Sequence, residues 1–229
     1  DKKIRRLQFE FEEAFSSIVP PPARVSNLPP NAPPDMPRFQ ILGKQKTFLV
    51  SEVTAQLQCD FSDSPSSGFS LVDFLIKYAD TMDRALDNIL SYQDRYYSGL
   101  VVIFGRAART EPSSVAQYIS AGSLNLLSDQ DIDTCSISVG FRSDSAFRNI
   151  ELNMYQTGLI KGKPGETVIL DTEFDGSFVQ EHGLQIKLDV NTKPRNPTPG
   201  QFRSLVSELR FLAGEKWPFP GIARLEMLQ

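Results

Sequence analysis

The chain has 229 residues, 40% of them hydrophobic and 23% charged, which is the make-up of a globular protein and excludes a disordered one. Its 24 basic and 28 acidic residues leave a net charge of −4, which argues against a dedicated nucleic-acid binder, because such proteins carry a basic footprint. The longest strongly apolar run, Leu100 to Phe104, is far short of the roughly 20 residues that a bilayer-spanning helix needs, so no membrane partner is expected.

In chain order, the first segment reads two ways. Ile4, Leu7, Phe11, Phe15 and Ile18 recur at helical spacing, while Leu7, Phe9 and Phe11 alternate like a strand. Lys2, Lys3, Arg5 and Arg6 precede Glu10, Glu12 and Glu13, an order that opposes a helix macrodipole. Residues 1–19 are therefore a helix or a strand. Residues 20–37 hold eight of the 16 prolines and predict an extended strap, because proline removes a donor and disfavours helix in the residue before it. Residues 38–229 read as a single α+β domain.

Within that domain, Val53, Ala55, Leu57, Cys59 and Phe61 alternate with Thr54, Gln56, Gln58 and Asp60, which predicts a strand with one buried and one wet face. A wide apolar stripe from Leu71 to Ile89 predicts a helix over about 70–91 that packs on a sheet. Residues 96–104 read as a buried strand and 113–119 as a short helix. Ile137, Val139 and Phe141 alternate with polar neighbours, as do Ile150, Leu152 and Met154, and residues 142–149 between them read as a hairpin connection. Residues 168–174 read as a further strand. Leu184, Ile186, Leu188 and Val190 alternate with Gln185, Lys187, Asp189 and Asn191 in the clearest strand pattern of the chain. Thr198, Pro199 and Gln201 predict the start of a last helix as N-cap, first helical residue and capping-box partner, and Gly214 predicts its end. Half-wet strands mark an antiparallel sheet, so the expected class is α+β, a mostly antiparallel sheet with helices packed on one face.

The catalytic vocabulary is thin. Asp171, Glu173 and Asp175 followed by Gly176 resemble the start of a calcium loop, but its twelfth position is His182 where a bidentate Glu is required. Asp129, Asp131 and Asp133 form a second acidic cluster, able to hold a divalent ion only if a strand or tight loop makes them converge. The one histidine, His182, follows Glu181; it is a lone general base or a turn residue opening the last strand. Lys161-Gly162-Lys163-Pro164-Gly165 lacks the spacing of a phosphate-binding loop and reads as a polar turn. Arg106 and Arg109, near Tyr92, Tyr96 and Tyr97, offer the ingredients of a single-strand binder, set against the acidic balance of the chain. Cys59 and Cys135 read most simply as buried thiols of a reducing compartment, with one structural disulfide as the alternative, and the first reading sets the expectation of a cytoplasmic protein.

Pro20-Pro21-Pro22-Ala23-Arg24-Val25 through Pro37-Arg38-Phe39, with the following strand, resembles the amino-terminal half of a sporadically distributed, largely uncharacterised bacterial protein family of about this size. The resemblance implies a bacterial cytoplasmic protein, with defence or toxin neutralisation as the associated setting, and it carries over no catalytic residue. The leading expectation is a non-catalytic protein-interaction module, such as an immunity protein, antitoxin or defence component, using a polar sheet face of Thr54, Gln56, Gln58, Gln185, Lys187 and Asn191. Its partner would be another protein or a second copy, with no cofactor. The alternatives are a carboxylate-dependent metal enzyme built on the two acidic clusters, or a weak nucleic-acid binder.

Overall fold

The apolar stripe of the first segment decides its conformation. In the computed structural model it is a helix, α1 (Lys2–Phe15), with Phe11 and Phe15 completely buried. Burying two aromatic side chains is worth several times the few tenths of a kcal/mol by which an unfavourable charge order opposes a helix. The structure describes residues 2–16, 19, 23–25, 29, 31–43, 45–60, 71–89, 98–109, 111–124, 132, 134–144, 146–158, 179–193, 200–214 and 218–219. Among them are four helices and eight strands in two antiparallel sheets, an α+β fold. The chain divides into two compact units, where the sequence after the strap reads as a single domain. The first holds residues 1–97, 194–206 and 227–229, and the second holds 98–193 and 207–226.

The first unit is built on a sheet of order β1-β2-β3-β4, formed by β1 (Ala23–Val25), β2 (Phe39–Leu42), β3 (Lys46–Val50) and β4 (Ala55–Cys59). The proline strap thus supplies an edge strand, pairing Ala23 with Ile41 and Val25 with Phe39. Period-two alternation puts Phe39, Ile41, Phe48 and Val50 on one face, in register with Ala55 and Leu57. There they meet Phe11 and Phe15 of α1 and Tyr78 and Met82 of α2 (Leu71–Ile89). The Phe15 and Phe48 rings stack at 4.0 Å between centroids, and Phe11 lies 5.5 and 5.6 Å from Phe39 and Phe48. At the end of β3, Lys46 Nζ donates to Tyr78 Oη at 2.6 Å.

Residues 31–38 are held by buried Arg38. Its guanidinium donates to the carbonyls of Ala32 and Pro33 and pairs with Glu52 at 2.9 Å, while Glu52 N donates to the Pro34 carbonyl. Prolines offer acceptors without donors, so a multi-donor arginine suits the segment. Val53, expected inside, is 63% exposed, because it lies in the turn between β3 and β4 and the strand begins only at Ala55.

The second unit carries the sheet β5-β8-β7-β6, formed by β5 (Gly99–Ala107), β6 (Ser136–Arg142), β7 (Ala146–Gly158) and β8 (Val179–Thr192). Ser143 N and Oγ both donate to the Ala146 carbonyl, and β7 starts at Ala146, four residues earlier than Ile150. Ile150, Leu152, Ile186, Leu188 and Val190 are buried on one face. α3 (Pro112–Leu124) packs against β7 and β8 and buries Val115, Ala116 and Ile119. Pro112 opens that helix at a position where its missing N–H costs nothing. β5 is not the buried strand its apolar run predicts. Its side chains alternate, and Val101 and Ile103 stay open.

The closing helix α4 (Gln201–Gly214) begins two residues after the predicted first helical residue, Pro199, since Gly200 takes φ of +69°, outside any right-handed helix. Its first turn is capped from within the first unit: the buried Asp83 carboxylate of α2 accepts from Phe202 N and Arg203 N, both at 3.3 Å. An anion at a helix N-terminus meets both the orphan donors and the dipole there. In the second unit, Glu208 of α4 pairs with Arg148 of β7 at 2.7 Å, and the guanidinium sits 4.8 Å from the Phe211 ring centre.

Candidate interaction face

Of the six polar residues expected to form one face, five fall in two sheets and one in a turn. Gln56 and Gln58 point outward from β4, and Thr54 is a turn residue whose hydroxyl pairs with Ser51 Oγ at 3.0 Å. Gln185, Lys187 and Asn191 point outward from β8, in the second unit. The sequence has no means of distinguishing two half-wet sheets from one, because both read as the same alternation.

The β8 group belongs to a larger surface, the face of the second sheet turned away from its buried core. Register fixes its rows. Gly99, Asn191, Phe147 and Arg142 lie side by side; then Val101, Asp189, Asn149 and Gly140; then Ile103, Lys187, Glu151 and Ser138; then Gly105, Gln185, Asn153 and Ser136. The polar groups bond one another across strands. Lys187 Nζ and Asn149 Nδ2 both donate to Glu151 Oε1 at 3.0 Å, Ser138 Oγ donates to Asn149 Oδ1 at 3.1 Å, and Asn191 Nδ2 donates to Asp189 Oδ1 at 2.6 Å. Ser136 donates to Asn153 in the same way. At one end, Arg142 lies 5.4 Å from the Phe147 ring centre, beside a hollow of about 310 Å³ lined by Gly140, Arg142, Phe147, Asn149 and Asn191 among others. Along β5 the face turns apolar, with Val101 48% and Ile103 57% exposed.

At the other end, the Tyr155 ring lies against the two glycines Gly183 and Gly105, and its hydroxyl donates to Glu181 Oε1 at 2.8 Å. Desolvation, then the bond to Glu181 and its charge, push the Tyr155 phenol up to about 12. A phenol raised in the folded chain above its unfolded value near 10 favours folding fully below pH 10, and that contribution is lost as pH rises through about 12. Denaturant titrations at pH 8 and pH 11 should therefore show a loss of stability that the Tyr155→Phe variant does not share.

Of the remaining sequence candidates, only His182 and the two cysteines lie among the described residues with a bearing on chemistry. Asp129, Asp131, Asp133, Asp171, Glu173 and Asp175 lie outside the described residues, as do Lys161 to Gly165, Tyr92, Tyr96, Tyr97 and the strand expected at 168–174. Among the described residues, no three His, Cys, Asp or Glu side chains gather as metal ligands. His182 sits inside β8 rather than in a turn, and its carbonyl accepts from Ala108 N. Adjacent strand residues face opposite ways, so His182 and Glu181, whose carboxylate is held by Tyr155, do not form an acid–base pair. Cys59 and Cys135 are free thiols. Burial raises both, with the Lys46 charge partly offsetting it at Cys59, so neither is poised as a thiolate nucleophile.

Sequence reasoning missed Ser136, Ser138, Asn149, Glu151, Asn153 and Tyr155, although each occupies the polar phase of an alternating strand. Their strands were legible; which strands neighbour one another was not. No helix among the described residues is long and apolar enough to cross a membrane. Comparison with family models, with curated proteins and with solved structures gave no match.

Proposed function

We propose that the protein is a non-catalytic protein-interaction module that docks another protein on the outer face of its second sheet. The observation that carries this reading is the state of the polar groups there: Lys187, Asn149 and Ser138 are committed to neighbouring side chains, as are Asn191 and Tyr155. A catalytic site keeps a base or ligand position open for substrate. A docking face gains instead from fixing its side chains beforehand, because less rotamer freedom is lost on association. Apolar Val101 and Ile103 beside a charged and amide-rich surround match the anatomy of an interface, an apolar anchor with a polar rim. An immunity, antitoxin or defence role in the bacterial cytoplasm is the form of this reading that the resemblance of the strap region favours.

The test is native purification from the source organism, with the protein bearing Asn149→Arg and Gln185→Arg as comparison. The two substitutions add bulk in separate rows of the face and leave its buried side untouched. A protein recovered in stoichiometric amount with the wild type, and reduced about tenfold or more with the variant, is the expected result. A wild-type chain that purifies with no other protein, or a partner that the variant retains, would sink the reading.

A further inference from the structure

We infer that β5 is a self-pairing edge, and that two copies of the chain join there antiparallel into one continuous eight-stranded sheet. β5 is the terminal strand of the order β5-β8-β7-β6, with β8 as its one strand neighbour among the described residues. Edge strands of soluble proteins are ordinarily blunted by a charge, a proline, a bulge or short length. β5 is nine residues long, and Leu100-Val101-Val102-Ile103-Phe104 carries neither charge nor proline. Its pairing to β8 runs unbroken from Gly99 to Ala107. Such an edge is a template for another strand.

The strand is complementary to itself. Centred on Val102, an antiparallel two-fold sets Val101 opposite Ile103 of the second copy, and Ile103 opposite Val101. On the other face it sets Leu100 opposite Phe104. Every central pair is apolar, and pairs of β-branched residues are among the favourable cross-strand combinations. The two Val101 and two Ile103 side chains, each about half exposed in a single chain, then form one patch at the seam.

The flanking charges agree with this register. In one chain, Lys187 neighbours Ile103 and Asp189 neighbours Val101. Each row across the seam therefore reads Glu151, Lys187, Ile103, then Val101, Asp189, Asn149 of the second copy. Lysine of one copy faces aspartate of the other across the apolar pair, and no like charges meet. Arg106, the charged residue of β5, lies four positions from the centre and falls opposite Ser98. The interface is isologous and closes at two copies. It uses the backbone edge together with Val101 and Ile103, the apolar margin of the docking face, and it doubles the polar part of that face without depending on any partner.

Light scattering on the purified chain over a concentration series tests the pairing. The expected mass is twice the 25.6 kDa of the chain, falling toward one copy on dilution. The double variant Val101→Lys, Ile103→Lys places like charges opposite each other in both outer pairs and should dissociate at roughly thirty-fold higher concentration, with its circular dichroism unchanged. The double variant Val101→Asp, Ile103→Asp should behave alike. Mixing the two should restore the dimer, since each Lys then meets an Asp. A wild-type chain that is monomeric at every concentration overturns the inference, as does a dimer that the lysine variant keeps or a mixture that stays monomeric. A foreign strand as the true occupant of this edge would give the first of those results.

Discussion

Phe15→Ala is expected to destabilise the protein by about 4 kcal/mol, the usual range for removing a buried aromatic ring being about 3–5 kcal/mol. The ring is fully buried, stacks on Phe48 at 4.0 Å and lies 6.2 Å from Phe11. Its neighbours come from a helix and a strand whose backbones are fixed by separate hydrogen-bond ladders, so the cavity left by alanine cannot easily collapse. Phe9→Ala on the same helix is the control. Phe9 is 73% exposed, and its removal should cost less than about 0.5 kcal/mol. Urea unfolding followed by far-UV circular dichroism compares the two. Equal shifts would mean that α1 is held by something other than its apolar stripe.

Gly183→Ala should cost about 3 kcal/mol, at the upper end for overpacking a core. A methyl group at this position would sit 2.1 Å from the Arg106 carbonyl oxygen and 2.9 Å from the Tyr155 ring. The ring can turn, but the carbonyl belongs to the backbone of β5, so relief requires β5 and β8 to separate at that end of their ladder. At Gly140, by contrast, the nearest atom to such a methyl is 4.0 Å away, and Gly140→Ala should be nearly neutral. Thermal unfolding of both variants decides the point. A Gly183→Ala protein as stable as the wild type would show that this end of the sheet opens without cost.

The elements that were legible in the sequence are those whose packing is written in their own periodicity. α2 and the core of β8 lie where their apolar spacings place them, because each buries an apolar face that recurs at its own period. β5 departs from its sequence pattern for a physical reason. A short continuous apolar run is the mark of a strand buried on both faces, and Val101 and Ile103 produce that mark while standing open. The start of α4 differs from its sequence signal because Thr198, Pro199 and Gln201 spell a capping box, whereas the first turn is capped by Asp83, more than a hundred residues earlier. The interaction face was half legible. Alternation marks Gln185, Lys187 and Asn191 as outward, but strand order, which no local pattern encodes, sets them beside Asn153, Glu151 and Phe147.

The cap on α4 also sets a clock for biosynthesis. Asp83 and Phe202 are 119 residues apart, and Phe202 packs against the aromatic cluster of the first unit. At translation rates of about 5–20 residues per second, roughly 6–24 seconds separate the emergence of the two. Through that interval α1, α2 and the first sheet are complete in sequence, yet the two amide donors of the α4 cap and the Phe202 side chain of the cluster have still to be made. The nascent first unit therefore spends its early life as an unfinished core, the stage at which a chaperone or a protease would find it.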